Sequence, residues 1–100
     1  MRLASGLEIP QDQIEAVCRR YQIIELAIFG SAARGDAHPD SDIDILVEFG
    51  PDAVRGWDYF ELEQELAQVF GRPVDLATKK RLKPNVRAEV LRDARVVYAA

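Results

Sequence analysis

Three short apolar runs, each bounded by glycine or proline, constrain this chain most strongly. They span residues 24–29, 43–49 and 74–77, and their length and turn-forming flanks are typical of buried β-strands. Helical spacing of apolar residues predicts helices over about residues 10–21 and 59–69, and another from residue 84. A brief helix is expected after residue 30, and a last short strand over residues 95–98. This alternation predicts an α/β (α+β) fold with helices packed on a mixed sheet.

The first helix carries the clearest periodicity. Pro10 is predicted at its first position, where the missing N–H costs nothing. Ile14, Val17, Cys18 and Tyr21 follow at i, i+3, i+4 and i+7, which is the spacing of one buried helix face. We therefore interpret Cys18 as a core residue rather than a nucleophile.

Length and composition exclude several classes of protein. A chain of 100 residues predicts a single domain over 1–100, and 48% hydrophobic with 30% charged residues is typical of a folded one. No run approaches the roughly 18 apolar residues of a membrane span, and no signal peptide is recognisable. The single cysteine favours the reducing cytoplasm. A net charge of −4 argues against stable nucleic-acid binding.

Charge is distributed unevenly along the chain. Residues 36–65 hold ten acidic side chains and one arginine, whereas residues 72–95 hold eight basic and three acidic ones. The asymmetry suggests a cation-attracting site beside a basic surface, but two solvated helix faces of opposite sign would give the same pattern. The basic run Lys79–Lys83 is open to three interpretations: a solvated loop, a triphosphate clamp or a docking patch.

Gly30 and Ser31 directly follow the first predicted strand. Glycine allows a phosphate to approach the backbone, and the start of a helix offers unpaired N–H groups beside a short hydroxyl donor. The pair is therefore a candidate phosphate cradle. A purely steric strand-to-helix turn would use the same residues.

Three aspartates are the candidate metal ligands. Asp42 and Asp44 lie two residues apart at the start of a strand, so their side chains share one face, with Cα atoms roughly 6.5 Å apart. Like charges so placed repel unless cations neutralise them, although a wet strand end would also tolerate them. Asp75 lies inside another apolar run, between Val74 and Leu76. If the two strands pair, three carboxylates converge in an arrangement suited to two magnesium ions.

These residues together match a known signature. Gly30-Ser31-Ala32-Ala33-Arg34-Gly35, five further residues and then Ser41-Asp42-Ile43-Asp44-Ile45-Leu46-Val47 reproduce the pattern GSxARGxxxxxSDxDxxV. Ten residues separate Ser31 from Asp42. The chain thus resembles the minimal nucleotidyltransferases, the smallest branch of the DNA polymerase β-like superfamily, over nearly its whole length.

The resemblance implies a small polymerase β-like fold and nucleotidyl transfer. Asp42 and Asp44 would ligate two Mg²⁺ ions, and Asp75 would ligate the catalytic ion and help deprotonate the acceptor hydroxyl. Gly30 and Ser31 would hold the β- and γ-phosphates of ATP, and Arg34 would order the turn or reach a phosphate.

The resemblance also implies a partner. Minimal nucleotidyltransferases commonly act as antitoxins of a helical HEPN-domain RNase toxin, to which they transfer AMP at a tyrosine. This chain is expected to do the same; the alternative is an antitoxin that masks the toxin mainly by binding. Three clustered acids favour the enzyme, because a binding module would not need them.

Overall fold

The computed structural model describes residues 1–35, 42–51, 59–78 and 81–100. The helices are α1 (Gln11–Tyr21), α2 (Ser31–Arg34), α3 (Tyr59–Phe70) and α4 (Pro84–Asp93). The strands are β1 (Ile23–Phe29), β2 (Ile43–Phe49), β3 (Val74–Thr78) and β4 (Arg95–Ala99). The predicted order of helices and strands is confirmed. Over these ranges, no helix has the length and apolar character that a membrane crossing requires.

The two proline-initiated helices begin differently. Pro84 occupies the first turn of α4, as the sequence predicts. Pro10 instead precedes α1 as its N-cap, because its ψ of 82° is not helical; its carbonyl still accepts the Ile14 N–H at 3.0 Å. The prediction for α1 is thus one residue too early. Gln22, with a left-handed φ of 57°, ends that helix.

The strands form one mixed sheet in the order β3–β2–β1–β4. Strand β1 pairs antiparallel with both β2 and β4, and β2 pairs parallel with β3. A parallel pair needs a crossover connection, and α3 lies in the connection between β2 and β3. This topology brings the starts of β2, β3 and β4 to the end of the sheet where β1 finishes. We call this the site end; its paired positions are Phe29 with Asp44, Asp44 with Asp75, and Ile28 with Arg95.

The hydrophobic core lies between the sheet and the helices α1 and α3. Cys18 is buried on the apolar face of α1, as predicted, and burial raises the pKa of its thiol to about 12. A thiol of this kind is an unreactive core group. The helical and strand side chains that form the core cluster include Ile14, Val17, Cys18, Tyr21, Leu26, Ile28, Ile43, Ile45, Val47, Leu62, Leu66, Val74, Leu76 and Val97.

Helix α4 packs much less closely. None of its residues is buried, and two of its apolar side chains, Val86 and Leu91, are 40% and 44% exposed. Val90, one turn after Val86, is half-buried. The contacts that hold α4 in place therefore include a polar one at its last residue, Asp93.

Candidate active site

A sharp turn at Gly30 connects β1 to α2. Its φ of 68° and ψ of −150° lie in a backbone region that only glycine occupies at low cost. A Cβ atom at this position would overlap Oδ2 of Asp44. Glycine is therefore required here for two reasons, the backbone conformation and the close approach of a carboxylate. Both interpretations of the pair Gly30-Ser31, the phosphate cradle and the purely steric turn, require glycine at position 30.

The single turn of α2 presents Ser31 directly after Gly30. The Gly30 carbonyl accepts the N–H groups of Ala33 and Arg34, each at 3.1 Å, and Gly35 N–H donates to Ser31 O at 2.9 Å. Gly35 ends the turn with a left-handed φ of 93°. Ser31 is half-buried at the first position of this turn.

The parallel pairing of β2 with β3 brings two of the three predicted aspartates side by side. Asp44 and Asp75 are register partners, flanked by the buried pairs Ile43 with Val74 and Ile45 with Leu76. Because register partners point to the same face of a sheet, the two carboxylates share one side. The condition set for convergence, that these two strands pair, is met for Asp44 and Asp75.

Asp42 lies immediately before β2, two residues from Asp44, and is exposed. Within the part of the chain that the structure describes, no three His, Cys, Asp or Glu side chains form a group able to hold a metal ion. The structure thus joins Asp44 with Asp75 directly and leaves Asp42 at the open side of the pair.

The three carboxylates interact electrostatically. Burial raises the pKa of Asp44, and the negative charges of Asp75 and then Asp42 raise it further, whereas Arg34 lowers it. Asp44 is half-buried while Asp75 is exposed. A half-buried carboxylate beside like charges is stabilised by a cation, and carboxylate oxygens are the ligands that Mg²⁺ prefers. The Asp44–Asp75 pair therefore suits a magnesium ion with one or two carboxylate ligands, whereas the predicted group of three carboxylates is not formed among the described residues.

Arg34 links this site to α4. Its Nη1 donates to Oδ2 of Asp93, the last residue of α4, at 3.0 Å. Sequence reasoning selected Arg34 but missed Asp93. No local pattern marks Asp93, because it lies 59 positions after its partner along the chain and only the folded topology brings the two together.

The predicted basic run is described only in part. Lys79 and Lys80 lie outside the described residues, as do residues 36–41, which include Ser41 of the signature. Arg81 lies over the ring of Tyr59, with Cζ 5.2 Å from the ring centroid. A guanidinium in this position makes a cation–π contact, so this member of the run has a packing role at the start of α3.

Known proteins resemble this chain over a range that includes the candidate site residues. The family model described as "Nucleotidyltransferase domain" matches residues 11–97. The protein adenylyltransferase MntA of Thermococcus cleftensis is 42% identical over 81 residues, which cover 79% of this chain and 77% of that relative.

Solved structures share the fold. A toxin–antitoxin complex with AMP-PNP contains a chain that superposes with a TM-score of 0.71 at 25% identity, over 92% of this chain and 75% of that one. The complex of a tri-AMPylated Shewanella oneidensis HEPN toxin with an MNT antitoxin gives a TM-score of 0.61 at 22% identity, over 90% and 70%; this likeness concerns the fold alone.

The aspartate pair and the glycine turn both lie within the region that the family model matches. The resemblance drawn from residues 30–47 and the predicted polymerase β-like fold are confirmed. The chain belongs to the nucleotidyltransferase domain family and is a nucleotidyltransferase.

Proposed function

We propose that this protein is a magnesium-dependent protein adenylyltransferase that modifies a HEPN toxin and so acts as its antitoxin. The observation that carries the proposal is the in-register pair Asp44 and Asp75 directly beside the Gly30 turn. The carboxylates that would bind a metal and the glycine turn that would admit a phosphate lie at the same end of the sheet. The relative named protein adenylyltransferase and the toxin–antitoxin complex with AMP-PNP support a protein acceptor and an adenine nucleotide.

In this proposal each residue has a distinct role. Asp42, Asp44 and Asp75 hold Mg²⁺, and Gly30 with Ser31 binds the β- and γ-phosphates of ATP. Arg34 contacts a phosphate. Bound Mg²⁺ supplies charge neutralisation for the triphosphate and for the leaving pyrophosphate.

The transfer step moves AMP to a hydroxyl. The acceptor oxygen attacks the α-phosphorus in line, a new O–P bond forms, and the bond from the α-phosphorus to the bridging oxygen breaks, so pyrophosphate leaves. Asp75, whose side chain is exposed, accepts the hydroxyl proton. Positioning and electrostatic stabilisation supply most of the catalysis in such reactions. A tyrosine of the toxin is the proposed acceptor, as the family resemblance implies.

The setting of the activity follows from other features of the chain. The four strands form one sheet, and α1, α2 and α3 pack side chains into one core cluster with them, which supports residues 1–100 as a single minimal nucleotidyltransferase domain. The one cysteine is buried and unreactive, which suits a reducing compartment; we place the protein in the cytoplasm, where ATP and Mg²⁺ are available.

Intact mass spectrometry of a HEPN-domain protein from the same genome tests this function. The acceptor is incubated with ATP, Mg²⁺ and either the wild type, Asp44→Asn or Glu15→Gln. Glu15 pairs with Arg19 on α1 and serves as a control distant from the site. The proposal predicts a mass gain of one or more AMP units with the wild type and Glu15→Gln only.

Two other outcomes would contradict the proposal in different ways. A stable complex that neutralises the toxin without any mass gain would favour the non-catalytic binding module. Equal modification by Asp44→Asn would place the chemistry elsewhere in the chain.

A further inference from the structure

Arg34 has a defined position one turn after Gly30. Its backbone N–H donates to the Gly30 carbonyl at 3.1 Å, and Gly35 ends α2 directly after it. The backbone of Arg34 is therefore fixed relative to the phosphate-binding turn. The side chain is long and rich in rotamers, so the direction of its guanidinium needs a further contact.

Asp93 provides that contact from a fixed helix end. Arg34 Nη1 donates to Asp93 Oδ2 at 3.0 Å. The end of α4 is itself ordered by two hydrogen bonds: Ala94 N–H donates to Val90 O at 3.0 Å, and Arg95 Nη1 donates to Ala94 O at 3.1 Å. Asp93 thus lies at the junction of α4 with β4, whose first residue, Arg95, pairs with Ile28 of β1.

Arg34 is also bonded to the turn that lies against the acidic pair. The Gly30 carbonyl accepts the Arg34 N–H, and a Cβ atom on Gly30 would overlap Oδ2 of Asp44. Arg34 therefore connects the turn beside Asp44 with Asp93 on α4. Its side chain is 47% exposed and that of Asp93 is 33% exposed, so solvent and ligands reach both.

We propose that Asp93 is a positioning residue that holds the Arg34 guanidinium in the orientation in which it receives a phosphate of the nucleotide. The inference rests on the proposed function, since it assigns Arg34 a phosphate. A guanidinium carries five N–H donors in a planar fork, so one group can bond to Asp93 and to a phosphate at once. Side chains held in place before binding lose less entropy when the ligand arrives.

A purely structural role for the ion pair makes a different prediction. An ion pair between half-exposed side chains contributes little to folding stability. If Asp93 only tethered α4, its loss would lower the unfolding temperature and leave nucleotide affinity unchanged. If it positions Arg34, its loss weakens nucleotide binding, and the effect depends on Arg34 being present.

A double-mutant cycle on Mg²⁺–ATP affinity separates the two roles. We measure dissociation constants by titration calorimetry for the wild type, Asp93→Asn, Arg34→Met and the double variant. Asp93→Asn should weaken binding about three- to tenfold, the range of one typical hydrogen bond, because Arg34 itself remains and only its orientation is lost. In the Arg34→Met background the same change should have no further effect, because residues that act through each other are not additive.

Two further variants complete the design. Asp93→Glu keeps the charge and should retain affinity within about threefold of the wild type, as expected when the carboxylate can still reach Arg34. Glu15→Gln removes a comparable exposed ion pair on α1 and should leave affinity unchanged.

The inference is overturned if Asp93→Asn binds as the wild type does or more tightly, or if it weakens binding equally in the Arg34→Met background. A wild type that does not bind Mg²⁺–ATP would instead contradict the proposed function.

Discussion

Strand β2 contains two regions with opposite surroundings. At its middle, Ile45, Leu46 and Val47 are consecutive and all buried, because β2 is an inner strand of the sheet. At its start, Asp44 is half-buried beside the exposed Asp75. Strand β2 thus contributes apolar residues to the core and the carboxylate of Asp44 to the candidate active site.

The contrast between the middle and the start of β2 shows how a small domain can contain a cluster of like charges. The core half of β2 and β3 gains stability from apolar burial, and that stability tolerates like charges at the site end. We therefore expect changes in the core to lower stability with little specific effect on chemistry. Changes at the site end should impair nucleotide binding more than they lower stability.

The largest effect is expected in the core. Leu66 on α3 is 0% exposed, whereas Leu91 on α4 is 44% exposed. Leu66→Ala should lower the free energy of unfolding by about 2–5 kcal/mol, since it removes buried methyl groups and leaves a cavity. Leu91→Ala, the matched control, should change it by about 0.5 kcal/mol or less. Urea unfolding followed by circular dichroism measures both. Similar losses for the two variants would contradict the assignment of the core.

The next effect is expected at the glycine turn, where stability and chemistry meet. Gly30→Ala should lower the free energy of unfolding by about 1–3 kcal/mol through backbone strain, and should abolish Mg²⁺–ATP binding because its methyl group displaces Asp44. Gly71 has the same φ of 68° but open space around a Cβ atom.

Gly71→Ala is therefore the control for Gly30→Ala: it should incur backbone strain alone and keep nucleotide affinity. Chemical denaturation and calorimetry on both proteins provide the comparison. Equal loss of affinity in both variants would remove the special role of Gly30.

The smallest effect on stability is expected at Asp44. Burial first, and the charges of Asp75 and Asp42 next, raise its pKa in the folded protein, so its ionisation opposes folding at neutral pH. Asp44→Asn should therefore unfold at the same or a slightly higher temperature than the wild type at pH 7. As the pH falls through the raised pKa, the wild-type carboxyl is protonated and the difference should shrink. Thermal unfolding between pH 7 and pH 4 checks the sign. A clear destabilisation at pH 7 would mean that the charge supports the fold.

Much of the fold could be predicted from local pattern alone. Turn-bounded apolar runs gave the strands, and the spacing from Ile14 to Tyr21 gave α1. Strand order could not be predicted, because pairing depends on contacts between distant segments rather than on periodicity. The loose packing of α4 was also not predictable, since Val86 and Val90 have helical spacing whether or not they are covered.

The candidate site was partly predictable for the same reason. Gly30, Ser31, Arg34, Asp42 and Asp44 lie in one contiguous signature, and Asp75 was suspected because a charge interrupts an apolar strand. Its place beside Asp44 required the parallel pairing of β2 with β3. Asp93 carried no signal of its own, because a single acidic residue at the end of a helix is ordinary.

Titration calorimetry of ATP binding with and without Mg²⁺ tests the central claim most directly, namely that the site end holds a nucleotide through a metal on the aspartate pair. The measurement compares the wild type with Asp44→Asn, which retains the shape of the side chain but loses its charge. We expect binding by the wild type only when Mg²⁺ is present, and at least about tenfold weaker binding by Asp44→Asn, as a lost charged ligand implies. Equal affinity with and without Mg²⁺, or equal affinity in the two proteins, would contradict the account.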